Sequence, residues 1–287
     1  MPSLIDLHIH TTASDGSDTP EVLAAKIAAA GIRTFSVTDH DTIEGALAME
    51  PLVPEGVGFI RGVEFSCVSP AGKCHILGYG YDPDHPRFRA ALEEGRQLRR
   101  EKLERRIAHL HEHFDVVLTD EESAWLHSRK SPGKPHLGKL LVDRCLAPDL
   151  SSAIKRYLDN VPGRDRIEAE TAVRAIEAAG GVSVWAHPLG GEGEKRLTSK
   201  KFEKQLETLL SYGIRGLECW YSRYSMEDVS ALLKQAEKHR LIVTGGSDYH
   251  GTVKKNLELG QLNAENIPAE GIELTVDSYA PYGIICK

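Results

Sequence analysis

Two histidines near the start of the chain, His8 and His10, are separated by one residue and end a short apolar run. Residues two apart in an extended strand point to the same side, so both imidazoles would face one way. Two imidazoles on one face can bind a single metal ion. For such a pair alone, a structural role is as common as a ligand role. The pair therefore indicates a metal site only if further ligands converge on it.

Further histidines and acidic residues accompany other apolar runs. Asp15 lies in the loop after the first run, and Glu64 lies inside the third. The remaining candidates of this kind are His40, His75, His187, Asp248 and His250. One histidine at a strand end usually has a structural role, but six of them with three acidic partners are improbable as a coincidence. Six other histidines have no such partners in the pattern, and we expect them at the surface: His85, His109, His111, His113, His127 and His239.

Apolar runs alternate with helical patterns and would position these side chains. The runs that predict strands cover residues 4–10, 33–40, 58–68, 73–81, 182–187, 214–221 and 241–250. The patterns that predict helices cover residues 20–30, 171–179, 202–212 and 226–239. Repeated βα units with apolar strands favour a parallel sheet, and this number of units favours a barrel. Since the carboxyl ends of barrel strands meet at one face, the candidate ligands are expected to converge there.

The middle of the chain breaks this alternation. Residues 87–114 form a long, highly charged helical pattern, and the loop signal Ser131-Pro132-Gly133 precedes short helical patterns at 136–144 and 151–158. We therefore predict a barrel made of residues 1–82 and 164–287, with residues 83–163 as a helical insertion over the active site.

Composition narrows the class of protein. The 287 residues are 41% hydrophobic and 27% charged, with a formal net charge of -7, which fits a globular chain with a substantial core. The acidic balance argues against a stable nucleic-acid partner and favours a small molecule. The five cysteines are scattered singly and predict reduced thiols. With no signal-peptide pattern and no apolar run long enough for a bilayer, we expect a cytoplasmic protein without a membrane partner. The oligomeric state is not predicted.

The ordered motifs of the chain resemble those of the polymerase and histidinol phosphatase (PHP) family, in particular its small free-standing bacterial phosphoesterases with a helical insertion. The motifs are His8-x-His10, Asp15-Gly16, Thr38-Asp39-His40, Gly62-Val63-Glu64, His75, Ala186-His187-Pro188 and Gly246-Ser247-Asp248-x-His250. They run through nearly the whole chain outside the insertion. The resemblance implies an α/β fold, a distorted (β/α)7 TIM-like barrel, and a phosphoric ester hydrolase.

The resemblance also implies three divalent metal ions. By position, His8, His10, Glu64 and Asp248 would hold the first, Glu64 with His75 and His187 the second, and Asp15, His40 and His250 the third. All nine positions carry the expected residue type. Mixed nitrogen and oxygen ligands suit manganese, iron or zinc, and the sequence does not choose among them.

A hydroxide that bridges two such metals would attack phosphorus in line. Asp248 or His250 is the candidate to supply the proton that the leaving alcohol needs. Cations are expected to contact the phosphate oxygens. We predict Lys134, His136 and Arg196 as substrate-binding residues, the first two because their segment resembles a substrate-facing segment of related phosphoesterases.

The expected substrate is a small phosphorylated sugar or nucleotide, namely a nucleoside monophosphate, a 3',5'-bisphosphate or a cyclic sugar phosphate. A 5'-to-3' exonuclease on short RNA, a histidinol phosphate phosphatase and an amidohydrolase or deaminase are the enzymatic alternatives. Amidohydrolase barrels also begin with His-x-His, but the Asp15, Glu64 and His75 set argues against them. A non-catalytic module is the remaining alternative, and the complete ligand set favours catalysis over it.

Overall fold

The computed structural model describes residues 4–159, 161–191, 195–254 and 256–272, together with the backbone of a strand at Ile284–Cys286. The strands are β1 (Ile5–Ile9), β2 (Thr34–Val37), β3 (Gly58–Ser69), β4 (Gly72–Tyr79), β5 (Ile167–Glu168), β6 (Val182–Trp185), β7 (Gly216–Tyr221), β8 (Ile242–Gly246) and β9 (Ile284–Cys286). The helices are α1 (Pro20–Ala30), α2 (Glu44–Met49), α3 (Pro86–Phe114), α4 (Asp120–His127), α5 (Lys134–Asp143), α6 (Leu150–Ala153), α7 (Ala169–Ala178), α8 (Ser199–Tyr212) and α9 (Met226–His239). A π-helical turn, Ile154–Leu158, follows α6.

Seven strands form a nearly closed barrel in the order β1-β2-β3-β4-β6-β7-β8. The first and last of them meet just beyond β8, where Ile9 forms a parallel bridge with Tyr249. Two backbone hydrogen bonds of 2.8 Å, from the N–H of Asp248 to His8 and from the N–H of His10 to Tyr249, join the same segments. The α/β barrel expected from the sequence is therefore confirmed.

Strand β4 departs from the parallel arrangement and pairs antiparallel with both β3 and β6. Only two residues separate the end of β3 from the start of β4, which is too short for a crossover to a parallel strand. His75 lies opposite Ser66, near the amino end of β4. Convergence at the carboxyl ends of strands therefore does not describe His75, which lies within the reversed strand β4, or Glu64, which lies within β3. The reversed strand still places His75 at the ligand-bearing edge of the barrel.

Helices cover the outside of the sheet and bury its apolar side chains. Helix α7 places Ile176 so close to β4 that a Cβ at Gly78 would lie 2.9 Å from it. Helix α9 buries Val229 and Leu232 in the same core. The described part of the chain contains no helix long and apolar enough to cross a membrane. Its cysteines Cys67, Cys74, Cys145 and Cys219 carry free thiols.

Helix α3 belongs to two different cores along its length. Near its start, Phe88 stacks on Tyr81 with ring centroids 4.1 Å apart and packs in the barrel core. From Leu103 onward, the helix packs with α4, α5 and the segment 150–158 in a separate apolar cluster. The division into a barrel and an insertion at residues 83–163 stays a prediction.

Candidate metal centre

The nine predicted ligands all lie at one edge of the barrel, within strands or in the loops that follow them. His8 lies in β1 and His10 follows it, while Glu64 lies in β3 and His75 in β4. The other ligands lie in the loops after strands or near them: Asp15, His40, His187, Asp248 and His250. Extended β1 places both of its imidazoles on one face, as the sequence spacing predicts.

One group of ligands forms around a single carboxylate oxygen of Glu64. Its Oε2 lies 3.3 Å from His8 Nε2 and 3.2 Å from His10 Nε2. Asp248 Oδ1 lies 3.6 Å and 3.4 Å from the same two nitrogen atoms. The donor atoms of His8, His10 and Asp248 all lie within 4.8 Å of one another, and Glu64 Oε2 adjoins both imidazoles, so these residues can hold one metal ion. His40 Nδ1 also lies 2.9 Å from Glu64 Oε2.

The other oxygen of Glu64 belongs to a second group. Glu64 Oε1 lies 2.9 Å from His75 Nδ1 and 3.1 Å from His187 Nε2, and these two nitrogen atoms are 3.2 Å apart. The two oxygens of one carboxylate thus face two different sets of imidazoles. This arrangement suits a carboxylate that bridges two metal ions.

A third group surrounds Asp15. Its Oδ1 lies 3.4 Å from His250 Nε2, and its Oδ2 lies 3.9 Å from His40 Nε2. His10, whose ring stacks on that of His250 with centroids 4.0 Å apart, connects this group to the first. All nine predicted ligands are therefore brought together in one cluster.

Several buried atoms in this cluster have no hydrogen-bond partner among the described residues. They are His8 Nε2, His10 Nε2, Asp15 Oδ1, His40 Nδ1 and Glu64 Oε2. A buried polar atom left unpaired costs about 1 to 3 kcal/mol, so native proteins rarely retain several together. Metal ligation would satisfy all five, and the donor set therefore fits divalent cations.

The three carboxylates of the cluster are held ionised. Burial by itself raises the pKa of Asp15, but the facing imidazoles of His40 and His250 outweigh it and hold that pKa well below its usual value. Burial likewise opposes ionisation of Glu64, whose pKa is also held well below its usual value by the histidines around it. Ionised carboxylates are the form that binds metal.

The histidines of the cluster divide into two kinds. Burial lowers the pKa of His8 and His10, but neighbouring carboxylates outweigh it, raising the pKa of His8 well above its usual value and that of His10 to about 9. Burial prevails for His40, whose pKa falls to about 4. Binding of metal to His8 and His10 therefore competes with protons at neutral pH.

Glu218, which sequence reasoning missed, orients two of the ligands. This fully buried carboxylate lies 2.9 Å from His8 Nδ1 and accepts the backbone N–H of His187 at 2.6 Å. With Nδ1–H directed at a carboxylate, the other ring nitrogen of His8 faces the cluster and is the one that can bind metal when its proton is displaced. The one sequence signal was a single acid inside the apolar run at 214–221.

Asp248 has two further partners that the sequence did not reveal. The hydroxyl of Tyr221 donates to its Oδ2 at 2.8 Å, and the ammonium group of Lys254 contacts the same oxygen. Burial raises the pKa of Asp248, but Lys254 and His8 outweigh it and hold the pKa well below its usual value. Lys254 lies in a polar loop and gave no sequence signal for this role.

The backbone is strained at two of the ligands. His187 has a φ of 28° and Asp248 a φ of 58°, both in the left-handed region that disfavours residues with a side chain. Such conformations cost about 1 to 3 kcal/mol each and persist where the surroundings require them. Both ligands follow directly after the carboxyl ends of strands, where the chain turns sharply toward the cluster.

Two cavities adjoin the cluster. The larger cavity, of about 700 Å³, reaches Asp248 and His250 on one side and Leu150 and Ile154 on the other. The second, of about 240 Å³, borders the cluster at Asp15, His40 and His75, and we call it the cationic cavity. Its positively charged lining residues are Lys73, Arg99, Lys102, Arg106, Lys134 and Arg166. Metal ions held by these ligands, next to a cationic wall, could bind phosphate oxygens and polarise their bonds to phosphorus.

The structure places the three predicted substrate-binding residues differently. Lys134 lines both cavities. His136 caps the amino end of α5 by accepting the N–H of Gly133 at 3.0 Å, and it lies outside both linings. Arg196 has a side chain that is 59% exposed, is paired with Asp228, and also lies outside both linings. The structure therefore brings only Lys134 to the cluster.

Comparisons of this chain with known proteins all point to one protein family. A family model described as PHP domain matches residues 6–172. A 3',5'-nucleoside bisphosphate phosphatase from Chromobacterium violaceum is 29% identical over 92% of both chains. A 5'-3' exoribonuclease from Haemophilus influenzae is 31% identical over 90% of this chain and 96% of its own length. A phosphoribosyl 1,2-cyclic phosphate 1,2-diphosphodiesterase from Eggerthella lenta is 32% identical over 86% of this chain and 94% of its own length.

A solved structure has the same fold. A protein from Bifidobacterium adolescentis, described as a metal-dependent phosphoesterase, superposes with a TM-score of 0.78. It is 25% identical in sequence and covers 93% of this chain and 95% of its own.

Proposed function

Because this chain belongs to the PHP domain family and is a metal-dependent phosphoric ester hydrolase, we propose that its substrate is a small phosphorylated sugar or nucleotide. The observation that supports this proposal most directly is the larger cavity. Its volume of about 700 Å³ lies within the range of small-molecule sites, and it opens directly onto the metal cluster. The apolar side chains of Leu150, Ile154 and Val253 also line it and offer a surface for a sugar or a base.

We assign the nine ligands to three divalent metal ions, manganese, iron or zinc. His8, His10, Glu64 and Asp248 would hold the first, Glu64, His75 and His187 the second, and Asp15, His40 and His250 the third. Divalent metals supply a Lewis acid that polarises phosphate oxygens and lowers the pKa of water. Glu64 supports this assignment because its two oxygens face separate groups of histidines.

The protein's own residues orient the substrate and move protons. Lys134, which lines both cavities, is positioned to contact phosphate oxygens at the cluster. Asp248 and His250 line the larger cavity at its junction with the cluster. Because the pKa of Asp248 is held well below its usual value, we assign the proton that the leaving alcohol needs to His250. Glu218 acts only through the ligands that it holds, His8 and His187, and is therefore a positioning residue.

The test is phosphate release across a panel of substrates. The panel contains nucleoside monophosphates, 3',5'-bisphosphates, cyclic sugar phosphates, histidinol phosphate and short RNA, each with the protein loaded with manganese, iron or zinc. We expect turnover of one small-molecule class, abolished by His10→Ala and by Asp248→Ala. His111→Ala, at an exposed position of α3, is the matched control and should retain activity.

The main competing function is 5'-to-3' exonuclease activity on short RNA, which the relative from Haemophilus influenzae supports by its name. An exonuclease would release successive nucleotides from RNA faster than it releases phosphate from any nucleotide. That outcome, or no phosphate release from the panel despite bound metal, would refute the proposal.

A further inference from the structure

Asp39 is a buried carboxylate that the metal assignment leaves without a role. It lies in the loop after β2, directly before the ligand His40, and is only 1% exposed. Its side chain has no cationic partner among the described residues. A buried carboxylate without a cation is costly unless hydrogen bonds satisfy its oxygens. The hydrogen bonds of Asp39 therefore indicate why the charge is retained.

Three donors converge on this carboxylate, all from residues 11–16, which follow β1 and which we call the β1 turn. Oδ1 of Asp39 accepts the backbone N–H of Thr11 at 2.8 Å and the hydroxyl of Ser14 at 2.6 Å. Oδ2 accepts the hydroxyl of Thr11 at 2.7 Å. An ionised carboxylate, which accepts through both oxygens and donates through neither, satisfies all three donors. The charge of Asp39 therefore holds the β1 turn against the loop after β2.

The β1 turn carries Asp15, a ligand of the third group. Its backbone closes on the carbonyl oxygen of Thr11, which accepts the N–H of Ser14 at 3.1 Å and the N–H of Gly16 at 2.9 Å. Asp39 holds the side chains of Thr11 and Ser14, which lie on the amino-terminal side of Asp15. It thereby fixes the backbone from which the carboxylate of Asp15 reaches the cluster.

A second line of contacts from Asp39 reaches the ligand His10. Ser14 Oγ lies 3.4 Å from His10 Nδ1. Because the only proton of this hydroxyl goes to Asp39, its oxygen can offer the ring only a lone pair. An Nδ1–H that donates to Ser14 leaves Nε2, which faces Glu64 and Asp248, as the nitrogen that binds metal. Asp39 thus acts on the orientation of His10 through one intervening hydroxyl.

We propose that Asp39 is a positioning residue of the metal centre, which places the ligands His10 and Asp15 through the β1 turn and binds no metal itself. This inference rests on the metal assignment of the proposed function. In that assignment His10 belongs to the first metal position and Asp15 to the third. The imidazoles of the second position are supplied by β4 and by the segment after β6, which are separate from the β1 turn. Loss of the contacts of Asp39 should therefore weaken the first and third positions and spare the second.

Two variants test the two lines of contact. In Asp39→Asn, the remaining oxygen must accept the N–H of Thr11, so the amide nitrogen replaces the oxygen that accepted the Thr11 hydroxyl. That hydroxyl loses its acceptor, and the β1 turn is loosened. Ser14→Ala removes the contact with His10 and keeps both hydrogen bonds between Asp39 and Thr11. Asp143→Asn, at an exposed position of α5, is the matched control and should bind metal as the wild type does.

The readout is manganese binding at each position, and it needs no turnover. Anomalous scattering from crystals soaked in limiting manganese gives the occupancy of the three positions, and calorimetric titration gives the affinities in solution. Loss of a group that orients a metal ligand usually lowers metal affinity by about 10- to 100-fold. We expect a loss of this size at the first and third positions in Asp39→Asn and at the first in Ser14→Ala, with the second position retained in both.

The outcomes separate this inference from the proposed function. Manganese occupancies and affinities equal to those of the wild type in both variants would overturn the role of Asp39 and leave the proposed function standing. An equal loss at all three positions would assign Asp39 to the stability of the fold and would also overturn the inference. If the wild type binds manganese but hydrolyses no member of the substrate panel, the proposed function fails, and the occupancies alone decide the role of Asp39.

Discussion

Replacement of Glu218 by glutamine should weaken metal binding without touching a metal ligand. The carboxylate accepts the backbone N–H of His187 at 2.6 Å and faces His8 Nδ1 at 2.9 Å. A backbone N–H can only donate, so the glutamine must direct its oxygen at His187. Its amide nitrogen then faces His8 and donates to Nδ1, which forces the ring proton onto Nε2. The nitrogen that faces Glu64 and Asp248 would no longer be free to bind metal.

The size of this effect follows from the role of such orienting groups. Loss of a hydrogen bond that orients a metal-bound histidine usually lowers metal affinity by about 10- to 100-fold, or about 1.4 to 2.8 kcal/mol. Chelator competition on Glu218→Gln measures the affinity. ¹⁵N NMR of the His8 ring in the metal-free protein, at a pH high enough for the ring to lose one proton, reports which nitrogen keeps the other. Glu207→Gln, on the exposed face of α8, is the control.

Two results would refute the reasoning about Glu218. Metal affinity equal to that of the wild type would show that the carboxylate does not set the state of His8. A loss of affinity accompanied by unfolding of the metal-free variant would show that Glu218 supports the fold and not the ligand.

Three further perturbations test other parts of the site. The raised pKa values of His8 and His10, about 9 for the latter, mean that their contribution to stability is present below pH 6.5 and lost as pH rises toward 9. Urea unfolding of the metal-free protein should show this loss, and saturating metal should remove it. Lys134→Met should raise KM about tenfold, whereas Arg196→Met, outside both cavities, should leave steady-state kinetics unchanged. Gly246→Ala should destabilise the fold by at least about 1 to 3 kcal/mol in urea unfolding, because its Cβ would lie 2.1 Å from His8 Cβ.

The sequence predicted the long elements of the fold well. The helices at 20–30 and 226–239 agree with α1 and α9 at both ends, because their cap residues and apolar spacing are local signals. The short elements α2, α4, β5 and β9 were not predicted. A two-residue strand such as β5 exists only because β3 lies beside it, and no local pattern encodes that pairing.

The site was predictable to the extent that its residues follow strands. Ligand types at the ends of apolar runs indicated that the cluster would form, and the structure brings all nine together. Residues that contact or border the cluster but lie outside the apolar runs could not be predicted in this way. Lys254 and Arg106 are polar residues in polar segments, and only the folded chain shows that one meets Asp248 and the other borders the cationic cavity.

The antiparallel hairpin of β3 and β4 explains how one carboxylate serves two groups of histidines. His75 lies opposite Ser66, two residues along β3 from Glu64, so both side chains point to the same face of the sheet. This register brings His75 Nδ1 to 2.9 Å from one oxygen of Glu64 and leaves the other oxygen for His8, His10 and His40. A parallel crossover would need a dozen or more residues at this point, where the chain has two. The tight turn is therefore a requirement of the metal centre, and a change of register by one residue would direct His75 to the opposite face.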